Sequence, residues 1–454
     1  MSFLWGKEWH KTDDRVIRFT SAEDAELDNQ LIPFDIIGSL AHARGLERIG
    51  ILDEKETAAI AAALGTAFES WQAGGLRLQP DDEDVHTALE RILTDELGDI
   101  GKKIHTGRSR NDQVLTALRL LMKRMLLERM RQLTNLVLLV CDRGESYSDV
   151  LMPGYTHMQR AMPSTVAHWY ASFAEGFCDT LDAGEALLRR LDSSPLGAAA
   201  GFGVPLPLDR AHTAELMGFS RVQVNTQAVQ NSRGRLEASF IGWLVELGRD
   251  VEKAACDLLL FSSAEFGFVR IPESLSTGSS IMPQKRNPDV VELLRATPSV
   301  LVSCRDEVES IAGKLPSGYH RDLQMTKKPL LRAVGLSESL LVMSSRVLES
   351  LEWDEERLRQ CLSQEMLATH RALGLVRDGI PFRAAYQQAA SELCEGKTED
   401  WSKPDAAELR KSAHLGSPFD PGITEARARA KAAAELIQSA EDKLDNSWQR
   451  LLGR

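Results

Sequence analysis

Between Asp112 and Arg143 the chain contains neither glycine nor proline, and its apolar residues recur at helical spacing: Val114, Leu118, Leu121 and Met125, then Leu133, Leu136 and Val140. That period places an apolar stripe along a single long helix. Comparable stretches follow at about 164–192, 235–265, 289–312 and 328–350, each several turns longer than the roughly 11–12 residues of an average helix. A helix of about 30 residues is about 45 Å long, more than a small domain's core is wide. Such helices pack as antiparallel bundles, so an elongated, oligomeric bundle is the expectation.

The flanks differ from this middle. Up to about Lys103, helical patterns alternate with polar breaks, as in DEKETAAIAAALGTAFESWQAGG, which Gly74 and Gly75 close. Beyond about Asp354 the patterns shorten, interrupted by Gly374, Gly379, Pro381 and the loop from His414 to Thr424. The chain therefore divides into an N-terminal helical domain (1–104), a central long-helix bundle domain (105–354) and a C-terminal small helical domain (355–454). The fold class is all-α. The one Gly-rich segment, Gly197 to Pro207, lacks both the GxGxxG spacing and a preceding strand, and reads as a connecting loop rather than a phosphate cradle.

Composition narrows the function classes. The 454 residues are 43% hydrophobic and 26% charged, as in soluble globular proteins. A formal net charge of −12 without any long basic tract argues against nucleic acid as a partner, although local basic islands can still attract a small anion. Cys141, Cys178, Cys256, Cys304, Cys361 and Cys394 are scattered singly, which predicts buried thiols in a reducing compartment. The start, MSFLWGKEWHKTDDR, has no apolar signal core, and no uncharged apolar run approaches the roughly 18 residues that span a bilayer. A cytoplasmic protein that meets no membrane is expected. The sequence holds no HExxH, CxxC or acidic metal cluster.

Three breaker-rich segments beside long helices concentrate the polar chemistry. HTGRSRNDQ, His105 to Gln113, sets Arg108, Ser109, Arg110 and Asn111 beside a helix start. Guanidinium forks, a hydroxyl and an amide suit the grip of carboxylates there, and the same residues read equally as an elaborate helix cap. GYTHMQRAMPS, Gly154 to Ser164, reads as a loop entering a helix and carries Thr156, His157, Gln159 and Arg160; an imidazole titrates near neutrality and can move a proton, though a lone histidine is more often structural. STGSSIMPQKRNPD, Ser276 to Asp289, surrounds Gly278 with hydroxyl residues. Its Asn287-Pro288 pair predicts a helix capped by Asn287 with Pro288 at the first turn, so that Lys285 and Asn287 stand at the positive end of a helix. Such a place favours a developing oxyanion and lowers the proton affinity of a nearby hydroxyl.

These segments, in this order and separation, resemble the fumarase/aspartase superfamily of homotetrameric lyases, and HTGRSRNDQ with GYTHMQRAMP resembles in particular its argininosuccinate lyase family. The likeness extends over nearly the whole chain through LWG (Leu4 to Gly6), DIIGSLAHARG (Asp35 to Gly45), EDVHTALE (Glu83 to Glu90) and LPSGYHRDLQMTKKP (Leu315 to Pro329). The resemblance implies reversible β-elimination of argininosuccinate to arginine and fumarate through a carbanion (aci-carboxylate) intermediate, with no metal or organic cofactor, which the missing metal motifs match. It implies Ser279 as base, Lys285 and Asn287 as carbanion-stabilising groups, and His157 as a proton-transfer group oriented by Glu292. It further implies Ser109, Arg110, Asn111 and Thr156 on the succinate carboxylates, and Tyr319, Gln324 and Lys327 around the arginine portion. The active sites would be shared between subunits of the tetramer.

The chain departs from the pattern in three places. Asp24-Ala25 stands where many relatives have Ser-Ile, QNSRG (Gln230 to Gly234) where they often carry a more acidic run, and Arg286 where lysine is common. The first two leave the contacts on the guanidinium side open. The Lys-Arg pair keeps adenylosuccinate lyase as a second reading, and a non-catalytic relative of the crystallin kind as a third.

Overall fold

The structure, a computed structural model, describes residues 13–79, 82–398, 401, 405–411 and 413–454; the LWG segment lies outside them. Helices dominate, as the sequence predicts. The N-terminal part comprises α1 (Asp14–Asp28), α2 (Ile32–Arg48), α3 (Glu54–Gln72), α4 (Val85–Leu97) and the short α5 (Asp99–Lys102). The Asp53 side chain accepts the Glu56 amide while the Glu56 carboxylate accepts the Asp53 amide, the reciprocal cap that starts α3.

The long helices appear where the apolar period places them: α6 (Arg110–Ser146), α7 (Val166–Leu191), α10 (Arg235–Phe261), α11 (Asp289–Ala312) and α12 (Lys327–Ser350), with the short α8 (Arg210–Leu216) and α9 (Thr226–Asn231) between them. With 37 residues, α6 is about 55 Å long. Of its neighbours, α12 runs parallel to it: Arg143 near the end of α6 donates to the Leu351 carbonyl just past the end of α12, and Lys327 at the start of α12 shares a cavity with Arg110 at the start of α6. One continuous core joins these helices to α2 and α3.

The last part corrects the expectation that helices shorten after Asp354. Short helices do follow, α13 (Glu355–Gln360), α14 (Ala368–Arg377), α15 (Phe382–Cys394) and α16 (Ala406–Arg410), but α17 (Ile423–Leu451) has 29 residues and runs back along α6 and α7. Arg131 meets Glu441 at 3.3 Å, and Arg427 meets Asp142 at 2.6 Å. Its buried alanines, Ala426, Ala430 and Ala433, allow the close approach.

A second correction concerns Gly154–Ser164. It is a β-hairpin, β1 (Leu151–Thr156) against β2 (Gln159–Thr165), with His157 (φ 51°) and Met158 (φ 59°) as its two-residue turn. Two left-handed residues give the twist that antiparallel strands favour, and here they are not glycines, a strain of the kind that accumulates at functional sites. The proline of this segment lies within β2, and Thr165 caps α7. A third correction concerns Asn287, which caps nothing. A short strand, β4 (Arg286–Asn287), is laddered to β3 (Thr277–Gly278), Pro288 occupies the cap position, and α11 starts at Asp289.

The Gly-rich segment does bind an anion, though an internal one. The amides of Gly197 and Ala199 donate to Asp112 at 2.9 and 2.8 Å, and Ser109 N–H donates to its other oxygen at 3.0 Å. Asp112 is fully buried at the start of α6, so this one carboxylate ties the 105–113 segment to the loop after α7. Replacing it with alanine leaves three amides without acceptors. Asp112→Ala is expected to cost about 2–5 kcal/mol in a urea unfolding experiment; a cost below about 1 kcal/mol would contradict this account of the junction.

Candidate active site

The twelve residues singled out in the sequence separate into two groups of six, one at each end of α6. At the α6 N-terminal end lie Ser109, Arg110, Asn111, Tyr319, Gln324 and Lys327. At the other end lie Thr156 and His157 in the hairpin, Ser279, Lys285 and Asn287 in the loop before α11, and Glu292 in its first turn.

At the first end a cavity of about 200 Å³ is lined by Arg110, Asn111, Tyr319, Gln324 and Lys327, together with Asp24, Asp28, Glu83, Asp84, Arg233 and Arg321 among others. Five of the six expected residues thus share one pocket. Ser109 instead caps α6, its Oγ accepting the Asn111 amide at 3.3 Å. Arg108 is buried and donates to Ser39 Oγ at 2.9 Å, which makes it a structural member of the segment. Arg110 is held by Glu83 at 2.7 Å and Asp84 at 3.2 Å, so its fork is aimed before any ligand arrives.

Lys327 is buried between two carboxylates, Asp24 at 2.9 Å and Asp28 at 2.5 Å. Burial opposes its charge, but Asp28 and Asp24 outweigh that and hold the ammonium pKa above its usual value. Asp24, the departure residue, bears the converse strain: burial pushes its carboxyl up to about 6, only partly relieved by Lys327. Close by, His86 is buried against Asp35 at 3.1 Å. Burial lowers its pKa, yet the surrounding carboxylates raise it overall. Nothing in the sequence singled out Glu83, Asp84 or His86 beyond their place in EDVHTALE, and Arg233 and Arg321 carried no signal of their own.

At the second end the residues are open to solvent. His157 and Thr156 are exposed on the hairpin tip, and Lys285 is exposed in its loop. Ser279 is half-buried, and its Oγ accepts the amides of Ile281 at 3.3 Å and Met282 at 3.1 Å. Two donors on one hydroxyl oxygen favour its ionised form. Lys285 follows in a turn closed by its own amide on the Met282 carbonyl at 3.0 Å. Asn287 and Glu292 line a cleft of about 1080 Å³ together with Arg270, Arg286 and Arg295, whereas the hairpin borders a separate cavity of about 300 Å³ through Tyr155 and Met158. Within one chain no hydrogen bond or ion pair joins His157 to Glu292 among the described residues.

A family model described as Lyase matches residues 9–302. The argininosuccinate lyase of Sorangium cellulosum (strain So ce56) is 46% identical over 91% of this chain and 95% of its own length. That of Stenotrophomonas maltophilia (strain R551-3) is 42% identical over 94% of this chain and 99% of its own length. Among solved structures, EDDS lyase in complex with formate superposes with a TM-score of 0.80 at 22% identity, covering 93% of this chain and 91% of that one. Class II fumarase from Schistosoma mansoni gives 0.70 at 16% identity, covering 92% of each. These likenesses fix the fold.

The Asp24 carboxyl supplies a pH test. Its folded pKa, about 6, lies above its ordinary 3.8, so the native state binds the proton more tightly than the unfolded chain. The stability associated with this proton is present below the ordinary value and is lost as pH rises through about 6. Asp24→Asn removes that loss, so its melting temperature relative to the unsubstituted chain should rise between pH 4 and pH 6 and level off above about 7. A difference that stays flat or falls across that window would show that Asp24 is not held as described.

Proposed function

The chain belongs to the argininosuccinate lyase family of the fumarase/aspartase lyases, and from that premise we infer that it cleaves argininosuccinate to arginine and fumarate by reversible β-elimination. The observation that carries the reading is the pocket at the N-terminal end of α6, where Arg110, Asn111, Tyr319, Gln324 and Lys327 line one cavity in a chain 46% and 42% identical to enzymes of that name. The adenylosuccinate reading prompted by Arg286 has no such support, and the crystallin-like reading sits poorly with a complete set of reactive side chains.

The reaction makes three physical demands. A proton must leave the carbon beside a carboxylate, the resulting charge must be stabilised on that carboxylate, and the departing nitrogen must receive a proton as its bond to carbon breaks. We assign the first to Ser279. A neutral serine is a weak base, and the amides of Ile281 and Met282 on its oxygen lower the cost of the alkoxide. Lys285 and Asn287 supply the cation and amide that face the aci-carboxylate. His157, presented on the turn of a strained hairpin, moves the proton, with Glu292 orienting its ring. The electron pair of the broken C–H bond becomes the double bond of fumarate, and the C–N pair leaves with arginine. Ser109, Arg110, Asn111 and Thr156 hold the succinate carboxylates, and Tyr319, Gln324 and Lys327 the arginine portion.

These assignments require chemistry from both ends of α6 in one place. A helix of about 55 Å cannot bend to bring its own ends together, so the donors must come from different copies. We therefore propose a homotetramer whose active sites are shared between subunits. No helix among the described residues is long and apolar enough to cross a membrane, and the six cysteines are all free, which suits a cytoplasmic enzyme.

Fumarate release, followed by its ultraviolet absorbance, tests the reading directly. The unsubstituted protein should release it from argininosuccinate and not from adenylosuccinate; the reverse preference would reject the reading. Ser279→Ala and His157→Asn should each lower turnover by roughly a hundredfold or more while the assembly keeps its size in gel filtration. A near-normal rate in either removes that residue from its role.

A further inference from the structure

In the wall of the α6 pocket stands a buried cation with no anion beside it. Arg233 is only 5% exposed, and its Nε and Nη1 are buried without any hydrogen bond. The other cations of the pocket are all matched: Arg110 by Glu83 and Asp84, Arg321 by Glu83, Lys327 by Asp24 and Asp28. No ion pair of Arg233 occurs among the described residues. An isolated guanidinium with unsatisfied donors is costly to bury, and it persists only where surrounding structure over-determines it.

The surroundings do over-determine it. Arg233 lies between the short α9 and α10, its amide donating to the Gln230 carbonyl at 3.2 Å. The next residue, Gly234, has φ +79°, and a Cβ there would stand 2.3 Å from that of Ala312; no other residue fits this turn. Asn231 accepts the Gly318 amide at 2.9 Å, which fixes the loop carrying Tyr319. The Tyr319 ring then lies beneath the guanidinium at 5.4 Å, setting its plane. The fork is thus aimed before a ligand binds, and what it lacks is an acceptor.

We propose that Arg233 binds the α-carboxylate of the arginine portion of the substrate. This rests on the reading of the pocket as an argininosuccinate site, and deepens it by naming a residue that discriminates among substrates. An α-amino acid head carries an ammonium and a carboxylate on one carbon. The pocket offers the complementary set, the carboxylates of Asp24 and Asp28 together with a single unmatched guanidinium. A planar carboxylate satisfies two donors of a guanidinium at once.

Product inhibition of argininosuccinate cleavage by L-arginine and by agmatine, the same molecule without the carboxylate, isolates this contact. In the unsubstituted enzyme arginine should inhibit about tenfold to a hundredfold more strongly than agmatine, the range of a charge-assisted hydrogen bond. Arg233→Gln should abolish that preference by weakening arginine alone, leaving agmatine unchanged. Arg233→Lys, which keeps the charge but not the fork, should retain part of it and serves as the test if the glutamine variant does not fold. If either variant weakens both inhibitors equally, Arg233 merely supports Tyr319 and the proposal falls. It falls too if arginine binding is unaffected. Failure of the unsubstituted enzyme to cleave argininosuccinate is a different outcome, and would overturn the functional reading rather than this assignment.

Discussion

The stiffness of α6 sets the distance between the two halves of the chemistry. Its continuous backbone ladder runs from Arg110 to Ser146, and its apolar stripe is clamped along its length by α7, α12 and α17. At about 55 Å it acts as a strut with Arg110 and Asn111 at one end, to which we assign the grip on carboxylates, and the His157 hairpin and the 276–289 loop at the other, to which we assign proton movement. Everything else follows from that separation: each end is partly built and preorganised, and neither has the other's function.

The two ends are prepared in different ways. The α6 N-terminal pocket is a network of matched charges, in which Glu83 and Asp84 aim Arg110, and Asp24 and Asp28 hold Lys327 ionised against burial. Low local dielectric makes such a network rigid when complete and costly when a member is missing. The opposite end relies on backbone. A strained two-residue turn thrusts His157 outward, and two consecutive-turn amides hold the Ser279 oxygen. Exposed groups there gain their low-dielectric surroundings only when another surface covers them.

Much of this was legible in the sequence because a 3.6-residue apolar period dictates long helices wherever glycine and proline are absent. The hairpin was not, since GYTHMQRAMP contains no Asn-Gly or Asp-Gly signal and its turn is formed by His157 and Met158, residues that rarely adopt left-handed geometry. At Asn287 the local Asn-Pro signal for a cap is overridden by the ladder between Arg286–Asn287 and Thr277–Gly278. The final helix also lacks glycine and proline, but several of its buried positions are alanines, Ala426, Ala430 and Ala433, which make only a faint apolar stripe. In the site, residue types and order were visible, whereas the matching of charges was not. Nothing along the chain distinguishes Arg233, whose Nε and Nη1 lack partners, from Arg110, which Glu83 and Asp84 hold in place.

The central claim is that one working site draws on more than one chain. Its most direct measurement mixes two inactive proteins, Arg110→Met and His157→Asn, each impaired at a different end of α6. After joint unfolding and refolding, or co-expression, some mixed assemblies contain sites built only from intact ends. The account predicts that fumarate release then returns to a substantial fraction of the normal rate, while each variant treated alone stays inactive. Mixed assemblies that form in normal yield but remain as inactive as their parents would contradict it.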